Sequence, residues 1–213
     1  RLLSRYYKDA MIESPGSKEA TSILNLHPFK THQIGIYEFG LDVDSIANSG
    51  IKNSLAIVSA TLQDPTGVSM PVIRKMDLLN WAQKTGSVII DHGTPQGFRR
   101  SIESPALCQL SGGTDVICIW EFASILKPWS QICCAIFPKR FIHEVHQLKS
   151  IIGVEVAINE QIAMHEFIEE GDLAKTLKHR DLLCLEKRRR LKLAFGRLFG
   201  STLNVIPLNK GSE

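Results

Sequence analysis

The segment from Leu62 to Pro71 constrains the fold most strongly, because it joins a strand-like run to a helix-like run through a tight turn. The apolar run Leu55 to Val58 precedes it, and the run Val72 to Ala82 follows it with helical spacing. Pro65 and Gly67 favour a turn between the two. Turns of this kind, at the carboxyl ends of strands, form ligand sites in open α/β sheets. The segment therefore predicts an α/β fold with a ligand site at this turn.

Strand-like and helix-like segments alternate through the first two thirds of the chain. Such alternation is typical of a mostly parallel, doubly wound sheet flanked by helices. The predicted strands are Asp9 to Glu13, His32 to Tyr37, Leu55 to Thr61, Ser87 to Asp91, Val116 to Trp120 and Gln131 to Phe137. The predicted helices between them are Lys18 to Asn25, Asp42 to Ala47 and Val72 to Thr85.

Helical patterns dominate from Lys139 onward. The predicted helices are Phe141 to Ile152, Glu155 to Glu170 and the long basic stretch Leu173 to Phe199, and a strand is predicted to start at Asn204. The first two of these helices carry apolar residues at helical spacing, and for two helices of the chain the same spacing predicts which residues face inward. The residues expected to face inward are Ile73, Met76, Leu79 and Ala82 in the helix after the turn, and Leu182, Leu185, Leu191, Phe195 and Leu198 in the basic helix.

Composition indicates an ordinary globular protein. The chain has 213 residues, 44% of them hydrophobic and 22% charged, and a net charge of +3. This mild charge does not by itself indicate a nucleic-acid partner. The five cysteines form no C-x-x-C pair, so we interpret them as reduced core residues of a cytoplasmic protein. There is no signal peptide and no apolar run of about 18 residues, so no membrane association is expected.

Several motifs in one order resemble the aminotransferase-like domain of MocR-type regulators, which belong to the GntR superfamily of bacterial transcription factors. Leu62 to Pro71 is similar to the family's "HQxPTGxxM". The other matching pieces are Ile12 to Gly16 ("vEdPgY"), Gly40 to Val43, Leu78 to Ala82 ("LLeWA"), Phe98-Arg99, Pro105 to Leu107 and Phe167 to Ala174 ("FieeGhlarH"). The resemblance implies the large domain of aminotransferase fold type I, truncated at both ends.

The same resemblance implies the domain organisation and the partners. Residues 1–172 correspond to a partial large domain, and residues 173–213 to a basic helix that leads into a smaller domain. The family implies a homodimer, which contacts DNA through an N-terminal winged-helix domain outside this chain and which senses a small-molecule effector. The basic run Glu186 to Lys192 is interpreted as a solvated helix face, with an auxiliary phosphate contact as the alternative.

The fold implied by the resemblance binds pyridoxal phosphate (PLP) through a lysine, an aspartate, a tyrosine and an arginine, and this chain departs from that pattern. In the family's "I-G-T-F-S-K-x-L-x-P-x-x-R" motif, Phe122, Leu126 and Pro128 set the alignment. Ser124 then stands at the Schiff-base lysine and Gln131 at the phosphate-binding arginine. Lys127, three residues away, is the alternative amine.

In the family's "E-D-D-Y" motif, His92 stands at the aspartate that pairs with the pyridinium nitrogen, and Thr94 at the tyrosine. A shift of one residue would instead make Asp91 the pairing acid. Asp64 stands where many aminotransferases have an asparagine near the phenolic oxygen. We therefore expect no PLP cofactor, and a remnant pocket formed by Asp64, His92, Thr94, Ser124 and Gln131, with Trp120 or Trp129 filling space.

Three functions remain open from the sequence. The first is an effector and dimerisation domain of a MocR-type regulator without PLP catalysis. The second is a PLP-dependent class I aminotransferase, which needs a lysine that the aligned motif lacks. The third is an interaction scaffold without a ligand. The remaining histidines show no metal-type grouping, and a catalytic role for His92 beside Asp91 is the minor alternative to leftover pocket residues.

Overall fold

A computed structural model describes residues 2–93, 104–112, 116–122, 126, 130, 132–153 and 155–200. Within these residues a seven-stranded sheet carries helices on both faces. The strands are β1 (Asp9–Ser14), β2 (Lys30–Tyr37), β3 (Gly40–Leu41), β4 (Ser54–Val58), β5 (Val88–Gly93), β6 (Val116–Glu121) and β7 (Cys133–Ile136). The helices are α1 (Lys18–Asn25), α2 (Val43–Asn48), α3 (Val72–Thr85), α4 (Leu107–Leu110), α5 (Lys139–Ile152), α6 (Ile158–Glu169) and α7 (Asp172–Phe199).

The sheet has the order β3-β2-β1-β4-β5-β6-β7, and its direction of winding reverses between β1 and β4. The pairs from β2 to β6 are parallel, and only the outer pairs β2–β3 and β6–β7 are antiparallel. The predicted mostly parallel, doubly wound sheet is confirmed. In such sheets the crevice outside the carboxyl ends of the strands, next to the reversal, is the usual ligand site.

Apolar side chains pack on both faces of the sheet, as the alternation of side chains along strands requires. One cluster joins alternate residues of the central strands to α2, α3 and α4, and includes Ile46, Leu78 and Leu107. The other joins the intervening strand residues to α1 and α5, and includes Leu24 and Phe141. The two clusters fix the sheet from both sides and leave its carboxyl edge to the loops.

Local sequence signals place several elements correctly. The predicted bounds of α1 and α3 match the structure, and Asp42 caps α2, since its Oδ1 accepts the backbone N–H of Ser45 at 3.1 Å. The strand β4 ends at Val58 rather than at Thr61. The reason is that the N–H groups of Ser59 and Ala60 are bound by carboxylate side chains. The strand predicted from Asn204 lies outside the described residues.

The inward face predicted for α3 is wrong in part. Ile73 and Met76 are exposed, whereas Lys75, Leu78 and Trp81 are buried beside the correctly predicted Leu79 and Ala82. The spacing of residues in the sequence allowed two overlapping faces of this helix to be the buried one. The sheet selects the stripe that begins with Lys75, because that ammonium group finds polar partners near the carboxyl edge of the sheet.

The chain divides into two compact units between residues 154 and 155. The second unit contains α6 and the 28-residue helix α7, which confirms the predicted long helix. The inward face predicted for α7 is wrong for four of its five residues, because Leu182, Leu185, Leu191 and Leu198 are exposed, whereas Phe195 is partly buried. The predicted division at residue 172 stays a prediction.

The interpretation of the cysteines as core residues holds for one of the five. Cys118 is buried and Cys108 is partly buried, but Cys133, Cys134 and Cys184 are exposed. Cys133 and Cys134 lie on β7, which forms an edge of the described sheet, and Cys184 lies on the exposed surface of α7. Among the described residues no helix is long and apolar enough to cross a membrane.

Candidate functional site

The turn between β4 and α3 lies at the carboxyl edge of the sheet. Its backbone closes on itself, since Gln63 N–H donates to Val68 O at 2.8 Å and Met70 N–H donates to Ala60 O at 2.9 Å. Gly67 has φ +70°, a left-handed conformation that favours glycine. The tip formed by Asp64, Pro65 and Thr66 is exposed. The predicted turn is therefore present and presents its tip to solvent.

The buried side chain of Gln63 holds this turn in place. Its Nε2 donates to Pro15 O and Asp64 O, each at 2.8 Å, and to Glu13 Oε2 at 3.3 Å. Its Oε1 accepts the backbone N–H of Thr66 at 3.0 Å. Because every polar atom of the amide is engaged, this side chain holds the loop after β1 against the turn after β4.

Glu13 bridges the strands at the point where the winding reverses. It lies near the end of β1, is buried, and its Oε1 accepts the N–H of Ser59, just after β4, at 3.0 Å. Burial raises the pKa of this carboxyl to about 7, although the hydrogen bonds from Ser59 and Gln63 favour the charged form. Glu13 thus titrates close to neutral pH while it holds the two strand ends together.

Asp91 makes the corresponding bridge between β4 and β5. It is buried, and its Oδ1 accepts the N–H of Ala60 at 3.2 Å, while the backbone N–H of Leu107 also donates to its carboxyl group. Burial raises the pKa of Asp91 to about 6 against these hydrogen bonds and the charge of Lys75. The carboxylate is therefore engaged by the protein itself.

Lys75, on α3, places a buried ammonium group near Asp91. Its Nζ donates to Ser104 Oγ at 2.8 Å and to Pro105 O at 2.9 Å. Burial lowers the pKa of Lys75, and the charge of Asp91 opposes that effect. The lysine connects α3 to the segment that leads into α4, and its charge interacts favourably with that of Asp91.

His92 points to the other face of β5, because successive residues of a strand alternate. Its Nε2 lies 3.0 Å from Glu121 Oε1, at the end of the neighbouring strand β6, and both side chains are partly exposed. Glu19, in the first turn of α1, also interacts electrostatically with His92. The imidazole is thus paired with Glu121 at the carboxyl edge.

Two of the five predicted pocket residues are among those that the structure describes. Asp64 follows β4 and His92 lies on β5, so both lie at the carboxyl edge of two neighbouring strands. Thr94, Ser124 and Gln131 lie outside the described residues. That all five gather in one pocket stays a prediction.

Trp120 lies against the end of β5. A Cβ atom added to Gly93 would lie 3.1 Å from Trp120 Cδ1, closer than a side chain tolerates without a shift. Glycine at this position therefore lets the indole approach the backbone of the neighbouring strand. Trp129, the other predicted space-filling residue, lies outside the described residues.

Sequence analysis missed the buried polar cluster formed by Glu13, Gln63, Lys75 and Asp91 as a unit. For Lys75 the helical spacing was a signal, because Lys75, Leu78, Leu79 and Ala82 occupy positions i, i+3, i+4 and i+7 of one helix face. Glu13 and Gln63 lay inside the quoted motifs, but nothing local indicates that they contact each other across 50 residues. Within the described residues no group of three or more potential metal-ligating side chains is found.

A separate apolar cavity of about 340 Å³ lies on the α1 and α5 face of the sheet. Its lining includes Leu24 and Phe29, together with Ile57 and Ile90 of the central strands, and His27 is its polar residue. Neither Asp64 nor His92, the two predicted pocket residues that the structure describes, lines it. The carboxyl edge and this cavity are therefore different places in the fold.

Comparison with known proteins identifies two similar regulators. The uncharacterized HTH-type transcriptional regulator YdeL of Bacillus subtilis (strain 168) is 27% identical over 203 residues, which cover 93% of this chain and 43% of that protein. The uncharacterized HTH-type transcriptional regulator YhdI of the same organism is 28% identical over 150 residues, which cover 70% of this chain and 32% of that protein. The chain thus spans less than half the length of these relatives. No protein-family model matches the chain.

Solved structures with a similar fold are aminotransferases. The multiple substrate aminotransferase of Thermococcus profundus has a TM-score of 0.80 at 18% identity, over 92% of this chain and 52% of that one. LysN, the α-aminoadipate aminotransferase of Thermus thermophilus, has a TM-score of 0.77 at 18% identity, over 93% of this chain and 53% of that one. An archaeal alanine:glyoxylate aminotransferase has a TM-score of 0.74 at 23% identity, over 94% and 53%. The chain therefore has aminotransferase fold type I, as predicted.

Proposed function

We propose that this chain is the effector and dimerisation domain of a bacterial MocR/GntR-type transcriptional regulator, and that it does not carry out PLP catalysis. The observation that carries the proposal is the match of 93% of the chain to a protein named as an HTH-type transcriptional regulator. The aminotransferase fold of the chain fits this architecture. DNA would be contacted by a winged-helix domain outside these residues, in the cytoplasm.

The residues at the cofactor positions do not fit PLP. A pyridinium nitrogen needs a carboxylate partner, whereas His92 stands at that position and is paired with Glu121 at 3.0 Å. Ser124 has no amine for a Schiff base, and Gln131 has no charge for a phosphate group. We therefore assign no chemical step to the cofactor in this protein.

In the alternative alignment Asp91 is the pairing acid, and in the structure this residue also has contacts with the protein itself. The carboxylate of Asp91 is buried and accepts N–H groups of Ala60 and Leu107 beside Lys75. These bonds join the strand ends and do not depend on a cofactor. The arrangement favours a structural role for Asp91, as a bridge between the strand ends.

The remnant pocket is proposed to take a small polar effector rather than a phosphate ester. Asp64 is exposed at the turn, and the His92–Glu121 pair is partly exposed at the strand ends. These groups offer hydrogen-bond acceptors and an imidazole, while the arginine that serves the phosphate in the family is replaced.

A PLP titration tests the absence of catalysis. Purified protein is mixed with PLP, scanned for absorbance, reduced with borohydride and digested for mass spectrometry. We expect only the bands of free PLP and no single modified lysine, because Ser124 cannot form an aldimine. An aldimine band that borohydride fixes onto one residue, for instance Lys127, would contradict the proposal.

The regulator assignment is tested on the complete gene product. The full reading frame should encode a winged-helix segment ahead of Arg1, and the product should retard DNA from its own promoter region in a gel. A product without that segment should not retard the same DNA. A complete reading frame that encodes no DNA-binding segment would contradict the proposal that this chain belongs to a regulator.

A further inference from the structure

The apolar cavity on the α1 and α5 face leaves two residues of the central strands partly exposed. Ile57 on β4 and Ile90 on β5 line the cavity and are partly exposed. Leu55 and Val88, on the same face of the same two strands, are 1% and 0% exposed. Central strands of a parallel sheet are normally covered on both faces. The part of the chain that the structure describes therefore covers this face of the sheet incompletely at the cavity.

The walls of the cavity are apolar and suit an apolar occupant. Ile23 of α1 lies on one side and is 58% exposed, and Val145 and Leu148 of α5 lie on the other. The volume is about 340 Å³. Because an apolar cavity of about 150 Å³ accepts a benzene ring, this one has room for roughly three side chains of the size of leucine. Filling it with apolar groups removes both the sheet and the walls from water, which is favourable.

The short 3-10 turn Leu3–Arg5 lies at the cavity and has the backbone of a helix end. Leu2 and Leu3 both line the cavity. Leu2 has φ −59° and ψ −58°, which are helical values, and offers no side-chain cap. The residue that starts a helix usually has a non-helical backbone and a capping side chain. The N–H of Tyr7 donates to Leu3 O at 2.9 Å, with the spacing of an α-helical bond. The turn therefore resembles the last turn of a helix rather than the first.

Contacts with α5 fix this turn against one wall of the cavity. The Tyr6 hydroxyl donates to Glu144 Oε1, and Arg140 Nη2 donates to the Tyr7 hydroxyl oxygen at 3.4 Å. Residues three and four places apart share one face of a helix. A helix that continues back from Leu2 would therefore direct the side chains three and four places before Leu2 to the same side as Leu2 itself, which is the side of the cavity.

We propose that in the complete protein a helix runs into the turn Leu3–Arg5, fills the cavity with its apolar side chains and completes the cover over Ile57 and Ile90. The regulator relatives have the length for such a segment, because this chain spans 43% of one and 32% of the other. The inference goes beyond the proposed function and does not depend on DNA binding or on the loss of PLP chemistry. A small apolar ligand is the competing occupant of the cavity.

The complete reading frame provides the first test. The residues three and four places before Leu2 should both be apolar, because they would enter the cavity. The two helical turns before Leu2 should contain no proline, which would interrupt the hydrogen bonds of the helix. Charged residues at both places, or a proline within those turns, would overturn the proposal.

The substitution Val145→Phe tests whether the cavity is filled. In the complete gene product it should lower the unfolding temperature by several degrees, because added bulk strains a core that is already packed. In the 213-residue chain the same substitution should leave the unfolding temperature unchanged or raise it, because the space is available. The control is Ile151→Phe, on the same helix but 80% exposed, which should have little effect in either protein. An unchanged unfolding temperature of the complete Val145→Phe variant would overturn the proposal.

A small apolar probe separates the helix from a ligand. Calorimetric titration with 2-naphthol, an apolar bicyclic molecule with one hydroxyl group, should show binding to the 213-residue chain. Val145→Phe should abolish this binding and Ile151→Phe should not, because only Val145 lines the cavity. The complete gene product should not bind the probe measurably. Binding by the complete product that Val145→Phe abolishes would show that the cavity stays open to ligands, and would overturn the proposal.

Discussion

At the scale of single residues, the carboxyl edge depends on two buried carboxyl groups. Glu13 joins β1 to the segment after β4, and Asp91 joins that segment to β5. Both have a raised pKa because burial disfavours the charged form, Glu13 at about 7 and Asp91 at about 6. These two groups bind protons more tightly in the folded state than in the unfolded chain. Their contribution to stability is therefore fully present at acidic pH and is lost as the pH rises through these values.

The substitution Glu13→Gln should remove part of this pH dependence. In the wild type, the free energy of unfolding should decrease between pH 4.5 and about 7, with Glu13 contributing on the order of 1–3 kcal/mol of the decrease. In the variant the decrease should be smaller, because of these two groups only Asp91, with its pKa of about 6, still titrates. Urea unfolding over this pH range measures the free energy of unfolding, and the variant Glu169→Gln, at an exposed position, is the control. Parallel curves for all three proteins would show that Glu13 does not titrate in this window.

At the scale of elements, α3 shows how the sheet selects one face of a helix. The buried stripe contains Lys75, Leu78, Leu79 and Ala82, and Lys75 lies among them because Ser104 and Pro105 accept its hydrogen bonds. Ile73 and Met76, which have equally suitable spacing, remain exposed. Packing therefore distinguishes two stripes that periodicity leaves equivalent.

Two alanine substitutions on α3 compare these stripes. Leu78→Ala should lower the free energy of unfolding by about 2–5 kcal/mol, because Leu78 is 0% exposed and its removal leaves a cavity. Ile73→Ala, on the same helix but 72% exposed, should change it by no more than about 0.5 kcal/mol. Denaturant unfolding of both variants measures the difference. Equal losses, or a larger loss for Ile73→Ala, would mean that the helix packs with its other face.

At the scale of the whole molecule, the second unit exposes many apolar residues. On α6 and α7 these include Ile158, Ile162, Leu182, Leu191 and Leu198. Exposed apolar surface of this extent often marks contact with further protein. The chain spans 43% of one regulator relative and 32% of the other, so a complete protein of that kind has further segments to supply such contacts.

We expect the complete protein to be a homodimer, because fold type I domains build their sites at a two-fold interface and regulators of palindromic DNA use the same symmetry. Light scattering of the full gene product at micromolar concentration should give twice the mass of one chain. The 213-residue chain alone is the matched comparison, and we expect it to dimerise more weakly. A complete protein that remains monomeric at these concentrations would contradict the expectation.

The sequence by itself determined the local elements and the order in which they occur. The turn around Pro65 and Gly67 and the bounds of α1 and α3 follow from turn residues and periodicity, which act between near neighbours in the chain. The parallel sheet followed from the alternation of strands and helices, and the aminotransferase fold followed from the family motifs.

Only the tertiary structure decided which distant residues meet. The contacts of Glu13 with Ser59 and Gln63, and of Lys75 with Ser104, join different elements. No local pattern encodes such contacts, because they arise when the sheet brings strand ends together and buries polar groups that must then find partners. The exposure of the cysteines on β7 and α7 was decided in the same way, since burial depends on what packs against an element and not on its own apolar composition.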